Sequence, residues 1–263
     1  MPGIDTAQLL LFDDQSAASP QSSSLSAPQG VTWNLWHGCT KFSEGCRNCY
    51  VFRRDRKIGV DSRNIYKTRS FALPVLRNRA GEYKYPAGTL FAACFSSDFL
   101  HPQCDLWREE AWAMMRSRRD CRFLFLTKRI ERFMDCLPAD WGAGWDHVAV
   151  GATCETQEIA DFRLPIFKDC PIRHKIIIHE PLLSAMDVSA FLDHTIEEVV
   201  AGGESGPNAR PCRWEWFTAL RDQCVRAGVP FTFKQTGAVF VKDGKTYRIP
   251  RRLQHSQARR AGL

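Results

Sequence analysis

Short apolar runs alternate with longer segments of helical period from Val31 onward. We predict seven strands, at residues 31–35, 89–95, 121–126, 147–152, 175–178, 197–201 and 230–233. We predict helices between them, at residues 104–118, 130–136, 157–167, 189–194 and 214–227. The strands are apolar through most of their length, which is typical of a parallel sheet covered by helices. The alternation predicts an α/β fold, and six or seven such units predict a complete or partial barrel.

Polar or reactive residues follow almost every predicted strand. They are Ser97 and Asp98, Thr127, Lys128 and Arg129, Glu155, His179 and Glu180, Gly202, Gly203 and Glu204, and Lys234 and Gln235. In α/β barrels the carboxyl ends of the strands build the active site. A solvated loop explains any one of these residues as well, but their recurrence at successive strand ends predicts a functional site.

The two ends of the chain depart from this pattern. Residues 1–30 are rich in Ser, Ala, Pro and Gln towards their end, and we expect a flexible leader there. Residues 31–240 form the predicted barrel domain. Residues 241–263 form a predicted basic C-terminal tail, which contains Arg251, Arg252, Arg259 and Arg260.

Charge and cysteine content limit the classes of protein to which the chain can belong. The net charge of +7 permits contact with nucleic acid, although a solvated basic surface explains it equally well. No apolar run approaches the ~20 residues that span a bilayer, and the first residues lack the basic segment of a signal peptide. Eleven cysteines, an odd number, do not suit a secreted disulfide scaffold. We therefore expect a cytoplasmic protein without a membrane partner.

Three cysteines stand close together directly after the first predicted strand. Cys39, Cys46 and Cys49 have the spacing C-x6-C-x2-C. A closed zinc site needs four ligands, which His37, or else Cys94 or Cys104, would complete. Three thiolates on a [4Fe–4S] cluster instead leave one iron open. The spacing alone favours neither metal, whereas a single catalytic thiol would not explain three clustered cysteines.

The complete motif at residues 33–50 is W-N-x3-G-C-T-K-x-S-x-G-C-x2-C-Y. It resembles the signature of a phage-associated, radical-SAM-like protein family of unassigned function. Further segments resemble that family at residues 97–101, 125–129, 150–155, 179–183, 200–206, 221–224 and 230–235. The family is similar in a general way to radical-SAM enzymes and to spore photoproduct lyase. The first cysteine gap is six residues here, whereas the best-known radical-SAM spacing is C-x3-C-x2-C.

The resemblance implies a partial (β/α)6 barrel of TIM type, as in radical-SAM enzymes, with Cys39, Cys46 and Cys49 as the ligands of a [4Fe–4S] cluster. It implies S-adenosylmethionine as the second cofactor and a flavodoxin- or ferredoxin-like protein as the electron donor. One-electron cleavage of S-adenosylmethionine would then start radical chemistry on an unidentified substrate, for which a nucleic acid or nucleotide and a protein side chain are candidates. The alternative is a zinc-binding, non-enzymatic protein that binds nucleic acid.

The resemblance also suggests roles near the cluster. Tyr50 is expected to pack on the adenine, unless it is a core aromatic residue. Asp98, with Ser97, is expected to receive the ammonium group of S-adenosylmethionine, unless it caps the next helix. Lys128 is expected to meet the carboxylate group or a substrate phosphate, whereas Arg129 fits a surface position at a helix start.

Other strand ends are assigned to the substrate pocket. Glu155, His179 and Glu180 are expected on one face, where His179 is either a hydrogen-bonding partner of the substrate or a satisfied core histidine. Gly202 and Gly203 would let a ligand approach the backbone. Glu204 would bind ribose hydroxyls or an ammonium group, and Lys234 would close the ring of strand ends.

Overall fold

The computed structural model describes residues 30–263. The predicted leader therefore lies outside the described residues, except for Gly30. Within the described chain, two compact units can be distinguished. The first unit comprises residues 30–153 and 163–176, and the second comprises residues 154–162 and 177–263.

The helices and strands follow one another in a mixed α/β order. The strands are β1 (Val31–Trp33), β2 (Trp36–His37), β3 (Tyr66–Lys67), β4 (Leu90–Ala93), β5 (Arg122–Thr127), β6 (Val148–Thr153), β7 (His174–His179), β8 (Ile196–Gly202), β9 (Cys212–Arg213), β10 (Phe231–Gln235), β11 (Val239–Lys242) and β12 (Lys245–Arg248). The α-helices are α1 (Tyr50–Lys57), α2 (Asp105–Ser117), α3 (Gln157–Asp169), α4 (Trp214–Ala227) and α5 (Arg251–Arg260).

All seven predicted strands are present, and they belong to one sheet with the order β1-β4-β5-β6-β7-β8-β10. The pairs β1 with β4, β4 with β5, β5 with β6, and β8 with β10 are parallel. The predicted α/β class is therefore confirmed. Each strand lies beside the next sheet strand along the chain, so the order never reverses as it does in a doubly wound sheet. This order is compatible with a partial barrel.

Burial explains why these segments are strands. Every residue of β6 is buried, as is every residue of β7 after His174. In the first unit the rings of Trp33, Phe91 and Phe123 pack on one another, with the two phenylalanine centroids 5.3 Å apart. Strands buried in this way carry almost continuous apolar sequence, which is the signal that the prediction used.

Two of the five predicted helices are wrong. Residues 130–136 form two 3-10 turns, Ile130–Arg132 and Met134–Cys136, and residues 189–194 contain one, Ser189–Phe191. Segments of six or seven residues form too few helical hydrogen bonds to offset the cost of helix nucleation. The β5–β6 and β7–β8 connections therefore lack an α-helix, and a complete (β/α)6 repeat is not confirmed. The other three predictions match α2, α3 and α4.

The sequence pattern missed several elements near the two ends of the described chain. Helix α1 buries only Val51 and Asp55 and consists mostly of charged residues, so it offers few apolar positions from which a helix can be predicted. The segment predicted as a basic tail contains the β11–β12 hairpin and α5, which buries Gln254, Gln257 and Ala258. Polar residues at buried helix positions hide the usual amphipathic signal.

Among residues 30–263, no helix combines the length and the apolar character needed to cross a membrane.

Candidate functional site

The cysteine motif lies in the first unit, on the segment that connects β2 with α1. Backbone hydrogen bonds fix its beginning: Gly38 N–H donates to the Ser96 carbonyl at 3.2 Å, and Cys39 N–H donates to the Ser62 carbonyl at 2.7 Å. Gly38 has a φ of +96°, and a Cβ there would lie 2.6 Å from the carbonyl oxygen of Asn64. Only glycine fits this turn, which sets the direction of the chain just before the first thiol.

The three thiols lie within electrostatic reach of one another. Burial raises the pKa of Cys39 to about 12, the Asp98 carboxylate adds to the rise, and the Cys46 and Cys49 thiols contribute as well. Burial also raises the pKa of Cys49, whereas the Lys128 ammonium group opposes the rise. A bound metal deprotonates such thiols outright.

The donor set fits an iron–sulfur cluster by its chemistry. Three thiols from one short segment could hold a [4Fe–4S] cluster and leave one iron open. Across residues 30–263, however, no group of three or more His, Cys, Asp or Glu side chains is arranged as a metal site. The fit therefore depends on the kind and number of donors rather than on ligand geometry.

Arg129 holds the segment between the first two cysteines. Its Nη2 donates to the Thr40 carbonyl at 2.8 Å and to Thr40 Oγ1 at 3.0 Å. Its Nη1 lies 3.4 Å from Asp98 Oδ2. The side chain is buried, so the expected surface position is wrong. A cation at the carboxyl end of β5 thus fixes the loop that carries the candidate ligands.

Phe42 is a second contact between this loop and buried cations. The guanidinium groups of Arg129 and Arg163 lie 4.8 and 5.6 Å from the centre of its ring. The Phe42 side chain is 46% exposed although both arginines are buried. Sequence analysis missed Arg163, whose signal is a charged residue inside the otherwise apolar face of α3.

Asp98 is already fully engaged by groups of the protein. Its Oδ1 accepts hydrogen bonds from Thr127 Oγ1 at 2.8 Å and from Leu100 N–H at 2.9 Å. Its Oδ2 accepts one from Lys128 N–H at 2.9 Å, beside Arg129. These contacts join the ends of β4 and β5. The contacts indicate that the Asp98 carboxylate positions neighbouring residues. Its contact with the ammonium group of S-adenosylmethionine stays a prediction.

Ser97, Tyr50 and Lys128 surround the cysteine motif in different ways. The Ser97 hydroxyl donates to the Gly38 carbonyl, which is a further attachment of the loop. Tyr50 is 46% exposed, which excludes the core-aromatic alternative, and its hydroxyl donates to the Phe95 carbonyl. The Lys128 ammonium group is partly exposed and close enough to Cys49 to affect its pKa. The adenine and carboxylate contacts remain predictions.

His101 is a buried histidine that sequence analysis did not single out. Its Nδ1 accepts a hydrogen bond from Gln103 N–H, so Nε2 carries the proton and donates to Thr40 Oγ1 at 2.9 Å. Burial, with help from the nearby Arg129 cation, lowers the pKa of His101 to about 4. The ring is therefore neutral at pH 7, and Thr40 receives hydrogen bonds from both His101 and Arg129.

His37, a possible fourth zinc ligand in the sequence, has a different partner. Its Nε2 lies 2.8 Å from Asp55 Oδ2 in α1, and Ser62 Oγ donates to the same oxygen at 2.6 Å. Burial by itself would raise the pKa of Asp55, but the hydrogen bonds from Ser62 and His37 outweigh it and lower the pKa. This buried network joins β2 to α1 on either side of the cysteine motif.

The second unit brings two other predicted residues together. Glu180, which follows β7, accepts hydrogen bonds from Lys234 Nζ at 2.7 Å and from Gln235 Nε2 at 2.5 Å. The Gln235 amide oxygen in turn accepts one from Arg251 Nη1 at 2.5 Å. Arg251 begins α5, so the segment predicted as a tail supplies a cation to this cluster.

Gly202 and Gly203, at the end of β8, pack closely against other residues of the protein. A Cβ on Gly202 would lie 3.1 Å from side-chain atoms of Gln235 and Glu180. A Cβ on Gly203 would lie only 2.2 Å from the Thr236 carbonyl oxygen. Close packing against the end of β10 therefore accounts for both glycines. Glu204 likewise has a partner, because Arg210 binds both of its carboxylate oxygens, at 2.6 and 3.0 Å.

His179 and Glu155 are both completely buried in the second unit. His179 Nδ1 donates to the Cys154 carbonyl at 2.8 Å, so Nε2 carries a lone pair. Within residues 30–263 this Nε2 atom has no hydrogen-bond partner. Burial lowers the pKa of His179 to about 4, although the hydrogen bond and Glu155 oppose the shift. His179 is thus a neutral ring with one nitrogen able to accept a proton or a hydrogen bond.

The predicted site residues therefore fall into two groups, one in each unit. The first unit gathers Cys39, Cys46 and Cys49 with Asp98 and Lys128, while the second joins Glu180 to Lys234 and buries His179. Arg163, His101 and Arg251 were not predicted as site residues, and Arg129 was assigned to the surface, because their roles depend on contacts between distant segments.

Comparison with known proteins places the chain in a family. A family model described as "Protein of unknown function (DUF5131)" matches residues 28–262. Neither the curated proteins nor the solved structures provide a significant match. The matched residues contain the cysteine motif, every described helix and strand, and both groups of candidate site residues. The chain therefore belongs to the DUF5131 family of proteins of unknown function.

Proposed function

We propose that the chain is an iron–sulfur enzyme of radical-SAM type, with a [4Fe–4S] cluster on Cys39, Cys46 and Cys49. The observation that carries this proposal is the attachment of a three-thiol loop to the ends of neighbouring parallel strands. Ser96 and Ser97 after β4 bind Gly38, and Arg129 after β5 binds Thr40. Strand ends of parallel sheets are where such folds carry their chemistry.

When bound, the cluster would supply an open iron at which S-adenosylmethionine is cleaved by one electron, from a flavodoxin- or ferredoxin-like donor. The protein's own residues position the loop. Asp98 orients Thr127, Lys128 and Arg129, and Arg129 with His101 holds Thr40. Lys128 is the cation near Cys49 that can meet a carboxylate group.

We further propose that the sheet is the partial barrel of radical-SAM enzymes. The sequential strand order supports this assignment. Two connections without an α-helix distinguish it from a regular (β/α)6 repeat.

Anaerobic reconstitution with iron and sulfide tests the proposal. The reduced protein is incubated with S-adenosylmethionine, and 5′-deoxyadenosine is measured by liquid chromatography and mass spectrometry. We expect a brown protein that forms this product. A colourless protein that contains zinc and forms no product would instead support the non-enzymatic zinc protein.

Replacement of single cysteines supplies the matched control. Cys46→Ala is expected to lose the iron and the product, because two thiolates seldom hold a cluster. Cys224→Ala is the control, because Cys224 is a fully buried thiol on α4, far along the chain from the motif. Its loss should cost about 1 kcal/mol of stability and leave the iron content unchanged. Equal iron loss from both variants would contradict the ligand assignment.

A further inference from the structure

One segment of the chain beside the cysteine motif is strongly basic. Residues 41–69 contain nine Lys and Arg against three Asp and Glu, a net charge of +6. Residues 241–263 carry the same net charge, with seven Lys and Arg against one Asp. The segment at residues 41–69 differs by its position, because it begins inside the cysteine motif and continues through α1 to β3.

Only some cations of this segment form a close ion pair. Lys67 Nζ lies 2.6 Å from Glu110 Oε1, and Arg63 Nη2 lies 2.9 Å from Asp61 Oδ2. By contrast, Arg54 is 3.7 Å from Asp55, and that carboxylate is already bonded to His37 and Ser62. No ion pair within residues 30–263 involves Arg47, Arg56, Lys57 or Arg69.

A cavity of about 590 Å³ opens in this region of the first unit. Arg54, Lys67 and Arg69 line it together with Thr68 and Ser70, and the Thr68 hydroxyl already donates to the Asn34 carbonyl. Guanidinium groups bind phosphate through two parallel hydrogen bonds, and hydroxyl groups add further donors. The lining thus matches a phosphate backbone.

An aromatic ring stands among these cations. Tyr66 lines the same cavity and is 45% exposed. Its ring centre lies 5.6 Å from that of His37, and an exposed aromatic ring is a suitable platform for stacking a base. A positive groove with an exposed aromatic ring is the combination by which proteins bind single-stranded nucleic acid.

The cavity also adjoins the cysteine motif. His37 and Ser96 belong to its lining. His37 precedes Gly38 in the chain, and the Ser96 carbonyl accepts a hydrogen bond from Gly38 N–H. We infer that this cavity, here called the basic groove, binds single-stranded nucleic acid beside the candidate cluster. This inference rests on the proposed function in one respect: the bound nucleic acid is the substrate only if the chain is a radical-SAM enzyme.

Fluorescence anisotropy with labelled oligothymidylate and oligouridylate tests the groove at several salt concentrations. Arg54→Ala with Arg69→Ala should weaken binding and reduce the slope of log K against log salt by about 1.4, because each lost phosphate contact to a single strand removes about 0.7. Tyr66→Ala should weaken binding about 5- to 150-fold, while Tyr66→Phe should retain it.

A control variant removes the same charge from α5. Arg259 and Arg260 are exposed, and Arg259→Ala with Arg260→Ala should leave affinity and slope nearly unchanged. The inference is overturned if the wild type binds no oligonucleotide, if this control loses as much affinity as the groove variant, or if Tyr66→Ala leaves the affinity for the oligonucleotide unchanged. It is also overturned if duplex DNA or polyphosphate binds the wild type as tightly as the oligonucleotide does.

Iron content and 5′-deoxyadenosine formation are measured on the same preparations. Groove variants should keep the iron, whereas Cys46→Ala should lose the iron and the product and still bind the oligonucleotide. Failure of the groove and failure of the cluster assignment therefore give different results.

Discussion

At the scale of single residues, Arg129 shows what a sequence pattern leaves out. Its position after an apolar strand predicts a charged group at the carboxyl edge of the sheet, and that much is correct. Its burial and its contacts with Thr40, 89 residues away along the chain, follow from how distant segments meet. The cysteine motif could be found from spacing, whereas the residues that hold it could not.

Arg129→Lys should loosen the cysteine loop. Lysine keeps the charge but cannot reach Thr40 and Asp98 together with the planar fork of a guanidinium group. Amide hydrogen exchange of residues 39–49, followed by mass spectrometry, should become faster in this variant.

Arg132→Lys is the matched control for that measurement. Arg132 lies on the next turn, and its ion pair with Asp105 is more exposed. Exchange of residues 39–49 should be unchanged in this control. Equal acceleration in both variants would mean that Arg129 has no special part in holding the loop.

At the scale of elements, length and burial decide where prediction succeeds. Helices α2, α3 and α4 have 13 or 14 residues and were predicted within two residues at either end. The short connections at residues 130–136 and 189–194 became 3-10 turns, because local propensity cannot sustain an isolated short helix. Helix α5 was missed, because buried glutamines face the sheet where apolar residues are expected.

Gly203→Ala should destabilise the junction between β8 and β10. The added methyl group would overlap the Thr236 carbonyl, which is backbone and cannot move alone. We expect a loss of about 2–3 kcal/mol in the free energy of unfolding, measured with urea and circular dichroism.

Gly202→Ala supplies the comparison at the adjacent position. Its nearest neighbours are side-chain atoms of Gln235 and Glu180, which can shift. The loss of stability should therefore be smaller than for Gly203→Ala. A loss as large at Gly202 would refute the assignment of the strain to the backbone contact.

At the scale of the whole molecule, His179 links stability to pH. Its pKa is about 4 in the folded protein against an ordinary value of 6.5. The unfolded chain therefore binds one more proton between these values, so stability falls as the pH is lowered through 6.5 towards 4. Between pH 7 and pH 5 this histidine should account for a loss of about 2 kcal/mol.

Urea unfolding of His179→Gln at both pH values measures that contribution. The variant should lose about 2 kcal/mol less than the wild type on acidification. His194→Gln is the control, because His194 is exposed in the same unit and its removal should leave the pH dependence unchanged. An unchanged dependence in His179→Gln would mean that folding does not lower the pKa of this ring.

The concentration of charge in residues 41–69 has a kinetic consequence. Residues 41–69 and residues 241–263 each carry a net charge of +6, so both segments attract a polyanion. A strand that is drawn to residues 41–69 reaches the neighbourhood of the cysteine motif before any specific contact forms. Encounters would be faster than random collision in dilute buffer and slow steeply as added ions screen the field, while the dissociation rate would depend on stacking at Tyr66.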